Sequence, residues 1–362
     1  MDSIKLNVIK VLQPIGYCYI TKINSKDLLE MSAVDRRYIN NNDEVLGVQR
    51  PLKYEKVRAI KKYLTTRNAT FPNSIIVNVK RDDVICEEND ILELKVNDET
   101  FTIIDGQHRL FGFEEYTGNQ FELILTIFIG LDSELQAEVF SIINTQQTKV
   151  DPSLNINLEL ADKTDNPRKV IVQIAQSLNY DKDSPWYDNI KLLGSQSEGI
   201  ISLSSFVKPI FNLTYPEKEF YTIKNMLKDA YPEFPSLSLL DVDTDRYPLW
   251  LFYKEHNKSV IYKILLNYFN AIKTIFPTDW LSQESLLNKT SGYNAIMKLF
   301  GDVVKVGISK GTLSEDFFRK TLTPISELAG QITADNYGSS GLFSSNNIYK
   351  DMCYILKTKN DN

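Results

Sequence analysis

Phe101-Thr102-Ile103-Ile104-Asp105-Gly106-Gln107-His108-Arg109-Leu110-Phe111-Gly112-Phe113 divides into three parts. Residues 101–104 are aromatic and β-branched, which predicts a buried strand. Gly106 permits a tight turn. A helix is expected from Gln107 to about Tyr116, with Leu110, Phe111 and Phe113 on its apolar side. A helix N-terminus presents free N–H groups and favours anions such as phosphate. Arg109, one turn in, has the fork geometry that clamps a phosphate. His108 could donate to a phosphate or shuttle a proton, and Asp105 could hold Mg²⁺ or orient a water. Asp105, His108 and Arg109 are therefore the candidate catalytic residues, and Gly106, Gln107, His108 and Arg109 the candidate phosphate cradle. The plain structural alternative is an Asx-turn cap with Arg109 in an ion pair, because Asp-Gly is a common turn before a helix.

Working outward, residues 74–79 and 121–129 also read as strands, the second ending at Gly130. Residues 53–64 read as a helix, with Val57, Ile60 and Leu64 on one face. Residues 133–143 read as another, opening with Ser133 and Gln136 in capping-box spacing and carrying Leu135, Val139 and Ile142 as an inner stripe. Strands alternating with helices predict an α/β domain over 1–150. The texture changes after Asp151-Pro152. Asn166-Pro167 is a strong helix start; 258–276 is amphipathic, and 291–306 and 314–329 also read as helices. Residues 180–205 and 231–247 read as long loops. A mostly helical domain over 151–362 is expected.

Composition excludes several classes. With 43% hydrophobic and 24% charged residues the chain is of ordinary globular type, and 362 residues bury a large core without disulfides. Cys18, Cys86 and Cys353 are too scattered for a disulfide framework or structural zinc, and two histidines leave little for a metal centre. Neither haem nor an iron–sulfur cluster is expected. The start of the chain has no leader pattern and no run approaches a membrane span, so a cytoplasmic protein without a membrane partner is expected.

The net charge of −6 is unevenly spread. Residues 48–68 carry seven basic residues and one acidic, whereas 81–100 carry eight acids against Arg81 and Lys95. Lys53, Lys56, Arg58, Lys61, Lys62 and Arg67 are candidate DNA-binding residues, with Tyr54 and Tyr63 between them. A lysine-rich solvated helix face is the alternative. His256 has no partner pattern and reads as a surface residue. Trp186, Trp250 and Trp280 read as core or loop anchors.

Asp105-Gly106-Gln107-His108-Arg109 resembles the signature of the DGQHR-domain proteins, whose best-known members are the DndB proteins of DNA phosphorothioation systems. Gln49-Arg50-Pro51, the basic helix and Phe71-Pro72-Asn73-Ser74-Ile75-Ile76-Val77 resemble the family's leading block. Phe140-Ser141-Ile142-Ile143-Asn144-Thr145-Gln146-Gln147-Thr148-Lys149-Val150 resembles its trailing block. The resemblance covers about residues 45 to 155 and is similar in turn to the ParB/sulfiredoxin-like superfamily, an α/β fold whose signature turn binds nucleotide in several branches. It implies nucleotide or phosphate contacts from Gln49 and Arg50 as well; Asn144, Gln146 and Gln147, amides at a helix end, suit base edges, ribose hydroxyls or phosphate, with a helix C-cap and polar loop as the alternative. Sulfiredoxins carry Gly-Gly-Cys-His-Arg here, and Gln107 replaces the reactive cysteine, so sulfinic-acid repair is not expected. A related restriction-protein group carries Asp-Gly-Gln-Gln-Arg and acts on nucleoside triphosphates, which implies ATP or another NTP with Mg²⁺. The family implies a DNA-binding regulator, a repressor of its modification genes, partnered by DNA, nucleotide and other proteins of the system. A homo-oligomer is compatible with this. The rival expectation is an NTP-hydrolysing or DNA-nicking enzyme.

Overall fold

The computed structural model describes residues 3–33, 38–39, 45–46, 52–118, 120–146, 151–193, 198–338 and 341–360. The chain forms two compact units, Met1–Lys149 and Val150–Asn362.

The first unit runs β1 (Ser3–Asn7), β2 (Ile9–Gln13), β3 (Gly16–Asn24), α1 (Ser25–Glu30), β4 (Ser32–Ala33), β5 (Tyr38–Ile39) and β6 (Val45–Leu46). It continues with α2 (Tyr54–Leu64), β7 (Ile75–Val79), β8 (Val84–Glu88), β9 (Ile91–Lys95) and β10 (Phe101–Asp105). It closes with α3 (Gln107–Phe111), β11 (Glu122–Ile129) and α4 (Ser133–Gln146). Six strands make a mixed sheet in the order β2-β3-β11-β7-β10-β4. β11 is parallel to β7 and antiparallel to β3, and β10 is antiparallel to β7. Alternation along a strand sends successive side chains to opposite faces. Leu123, Leu125 and Ile127 thus join Ile75, Val77, Phe101 and Ile103 in the main core, which Leu64 of α2 and Leu110 of α3 complete. Phe128, Ile104 and Cys18 point the other way, toward Val139 and Phe140 of α4. The acidic stretch 81–100 folds largely into the antiparallel pair β8–β9, which joins β1 in a small second sheet.

Three local expectations are corrected. The helix after Gly106 ends at Phe111 rather than near Tyr116. Phe113 is instead drawn into a ring cluster, 5.9 Å from Phe71, 5.4 Å from Tyr116 and 5.0 Å from Phe121 between centroids, and that burial outweighs continuing the helix. α4 is capped by Asp132, whose Oδ1 accepts from the Leu135 N–H at 2.9 Å, not by Ser133. The helix expected over 314–329 is α-helical only to Leu322, because Pro324 forces a 3₁₀ segment over Thr323–Leu328.

The second unit is helical as expected: α5 (Pro152–Asn157), α6 (Pro167–Tyr180), a two-residue parallel pair β12 (Ile190–Lys191) and β13 (Ile201–Ser202), α7 (Leu203–Thr214) and α8 (Phe220–Ala230). α9 (Trp250–Tyr253), α10 (Lys258–Ile275), α11 (Pro277–Leu281), α12 (Thr290–Ser309), α13 (Glu315–Leu322), α14 (Ala334–Tyr337) and α15 (Leu342–Asn360) follow. Asn166 caps α6 by accepting from the Lys169 N–H, with Pro167 in the first turn. All three tryptophans are buried, Trp186 ringed edge-on by Phe206, Phe269, Trp280 and Tyr293. His256 is half-buried, 4.5 Å from the Phe234 ring, rather than a plain surface residue. Among the described residues no helix is long and apolar enough to cross a membrane.

Candidate functional site

β10 delivers Asp105 to the sheet's edge of the turn through a register irregularity opposite β7. Gly106 follows with φ +102°, a conformation that L side chains rarely adopt. A Cβ there would stand 2.5 Å from Ile75 Cδ1 and 3.1 Å from Arg109 Nη2, so a side chain would strain the backbone and also push Ile75 and Arg109 aside. Gln107 is buried, and Leu110 is wholly so.

Arg109 reaches back across the turn. Its Nη2 donates to Asp105 Oδ2 at 2.9 Å and its Nη1 to the Asn73 carbonyl at 2.6 Å. The ion-pair alternative is therefore realised, and two of the five guanidinium N–H groups are committed within the protein. Asp105 likewise faces a cation. Among the described residues no group of three or more His, Cys, Asp and Glu side chains is arranged to hold a metal. A single carboxylate still suits Mg²⁺ that also takes phosphate oxygens, because that ion commonly uses one or two protein carboxylates.

His108 faces the basic helix. Its Nε2 accepts from the Lys53 backbone N–H at 3.1 Å. An N–H can only donate, so the ring proton sits on Nδ1, and Nε2 is unavailable as a base in this arrangement. Burial, then the Lys56 ammonium, push the His108 pKa below its ordinary value; Asp105 opposes and Lys53 adds to the fall. Lys53 is the N-cap residue of α2 and has no side-chain cap of its own. The histidine thus ties the turn to the head of the helix. Gly112 draws them together again, since a Cβ there would lie 2.3 Å from Ile60 Cγ2 on α2.

α2 buries Val57 and Leu64; Lys53 at its head, Lys56, Arg58 and Lys62 along it, and Arg67 past its end are exposed. Lys61 differs. Its ammonium lies 3.5 Å from Glu114 and 3.3 Å from Glu115 and is half-buried, so its charge is largely answered within the protein. Asn144 is exposed on α4, the helix of the opposite sheet face, and its Nδ2 donates to the Phe140 carbonyl at 2.8 Å. Gln49, Arg50 and Gln147 lie outside the described residues, as does the side chain of Gln146. The Asn73 carbonyl and the Lys53 N–H were not legible as partners. They are main-chain groups 36 and 55 residues from the side chains they hold, and main-chain groups carry no sequence signal.

The strand–turn–helix signature is thus tied to the head of a helix whose outer face carries exposed cations, within an α/β domain. A family model described as DndB, DNA-sulfur modification-associated, matches residues 6–208, more than half the chain, and the chain belongs to that family. No curated protein and no solved structure matches it significantly.

Proposed function

We propose that this chain is a DNA-binding accessory protein of a bacterial DNA sulfur-modification system, acting in the cytoplasm as a repressor of the modification genes. Its DNA surface is α2 together with the Asp105-to-Arg109 turn. One observation carries the reading: the Lys53 N–H to His108 bond holds the signature turn against the head of α2, beside its exposed cations. The same turn takes a phosphate group of DNA or nucleotide beside His108 Nδ1–H and the uncommitted donors of Arg109. When that ligand is an NTP, Mg²⁺ at Asp105 supplies charge neutralisation.

The geometry supports binding over turnover. A hydrolase or nickase needs a free base, whereas His108 Nε2 accepts from Lys53 and Asp105 is paired with Arg109. Phosphate contacts position a protein without specifying sequence. Reversing Lys56, Arg58 and Lys62 to Glu is therefore expected to weaken specific and random duplexes alike. Lys61→Ala, which removes a charge already paired, leaves affinity near the parent's. Fluorescence anisotropy checks both, and a triple variant that binds like the parent refutes the surface. Arg109→Ala is expected to weaken nucleotide binding about ten- to a hundredfold, the loss of charge-assisted hydrogen bonds. Calorimetry with ATP, CTP and GTP in Mg²⁺ decides this; no heat from the parent protein ends the nucleotide half of the proposal.

A further inference from the structure

The sheet face opposite the turn is left incompletely covered. α4 is the helix that packs there, through Val139 and Phe140. Yet none of residues 133–144 is fully buried, and Ile142 on the expected inner stripe is 47% exposed. Between helix and sheet lies a cleft of about 800 Å³, floored by Cys18, Ile76 and Phe128 and roofed by Leu135, Val139 and Ile142. Two apolar surfaces facing each other across a gap forgo the dispersion contacts that close packing supplies. A space of this size falls within the range of small-molecule sites, about 300–1,000 Å³.

The polar groups at the cleft set the chemistry. Thr126 Oγ1 already donates to Ser74 Oγ at 2.9 Å. Gln13 and Glu138 also line the cleft, and Glu138, its ionisable group, makes no ion pair among the described residues. A carboxylate beside apolar walls favours an N–H donor or a cation and repels anions. Phosphates are thereby disfavoured, so the ligand differs in chemistry from that of the DNA and nucleotide surface proposed above.

We propose that the cleft between α4 and the β3–β11–β7 face binds a small aromatic molecule bearing an N–H or cationic donor, its ring on Phe128 and its donor toward Glu138. N-phenyl-1-naphthylamine, neutral and aromatic with one N–H, is the probe, titrated into the full chain. Saturable fluorescence enhancement at one molecule per chain is expected. Val139→Trp, which fills the cleft, is expected to abolish it. Glu138→Gln is expected to weaken it about three- to tenfold, the scale of one weakened charge-assisted hydrogen bond. The anionic 1-anilinonaphthalene-8-sulfonate is expected to bind more weakly than the neutral probe. Ile76→Trp fills the cleft from the sheet side and carries the same test if circular dichroism shows Val139→Trp unfolded. The assignment is overturned if the parent gives no saturable signal, or if a folded cleft-filling variant binds as the parent does. It is also overturned if light scattering finds a dimer that the probe dissociates, since the cleft would then belong to a second copy of the chain.

Discussion

Gly106 and His108 carry the turn by different means. Gly106 combines a left-handed φ with a neighbour that a methyl group would strike. Gly106→Ala is expected to cost about 1–3 kcal/mol of stability, the range for a strained backbone position, and to displace Arg109. A lower urea midpoint than the parent's checks it. His108 adds a pH dependence whose sign follows from its depressed pKa. The unfolded chain binds the proton near the ordinary value of 6.5, and the folded chain resists it. Stability is therefore full above about 6.5 and declines as pH falls below that value toward the folded pKa. His108→Gln offers the Lys53 N–H an amide oxygen that does not titrate. Its unfolding free energy should vary less between pH 7.5 and 5.5 than the parent's, and an unchanged slope would place the titration elsewhere.

At the scale of elements, the connection between α5 and α6 is stitched by charge. Lys224 of α8 lies 2.9 Å from Asp162 and 3.2 Å from Glu159, and the Arg168 guanidinium stacks 3.8 Å from the Phe220 ring centroid while meeting Tyr215, Glu159 and Glu217. Burial pushes the Asp162 carboxyl up, but the Thr164 N–H and hydroxyl together with Lys224 overcome it and hold it at about 2, below the ordinary 3.8. Its contribution is present above the ordinary value and lost as pH falls through about 2. Asp162→Asn should be less stable at neutral pH and show a flatter loss between pH 4 and 2, read from urea midpoints across that range. α2 shows the complementary case, in which the exposed ammonium and guanidinium groups of Lys56, Arg58 and Lys62 lie on the surface, where ion pairs add little to folding and cations stay accessible to a ligand.

For the whole molecule, a net charge of −6 repels a duplex at long range, so attraction must come from a local patch. If about four α2 cations neutralise phosphates, log K should fall against log salt with a slope near −3.6. A slope close to zero with measurable affinity would exclude the helix as the phosphate-contacting element. The three cysteines are free, with Cys18 buried and the other two half-buried. None belongs to the turn, so replacing all three by Ala should leave DNA affinity in place while Cys18→Ala lowers stability. Loss of binding in a folded triple variant would show thiol chemistry at the site.

The amino-acid sequence by itself determined the strand–turn–helix at Asp105–Gly106, the amphipathic α2 with its cations, the capped start of α6 and the change from mixed to helical texture near residue 150. Each rests on periodicity, turn chemistry or capping between near neighbours, which a linear reading captures. Only the tertiary structure decided that Arg109 is held by Asp105 and Asn73, that His108 holds the head of α2, and that the Lys61 charge is answered by Glu114 and Glu115. It also decided that α4, whose stripe was legible, rides above its sheet with a gap beneath it. Those outcomes depend on main-chain groups, close approaches at Gly106 and Gly112, and the spacing of a helix from a sheet. All are set by packing between segments distant in the chain, where local propensity carries no information.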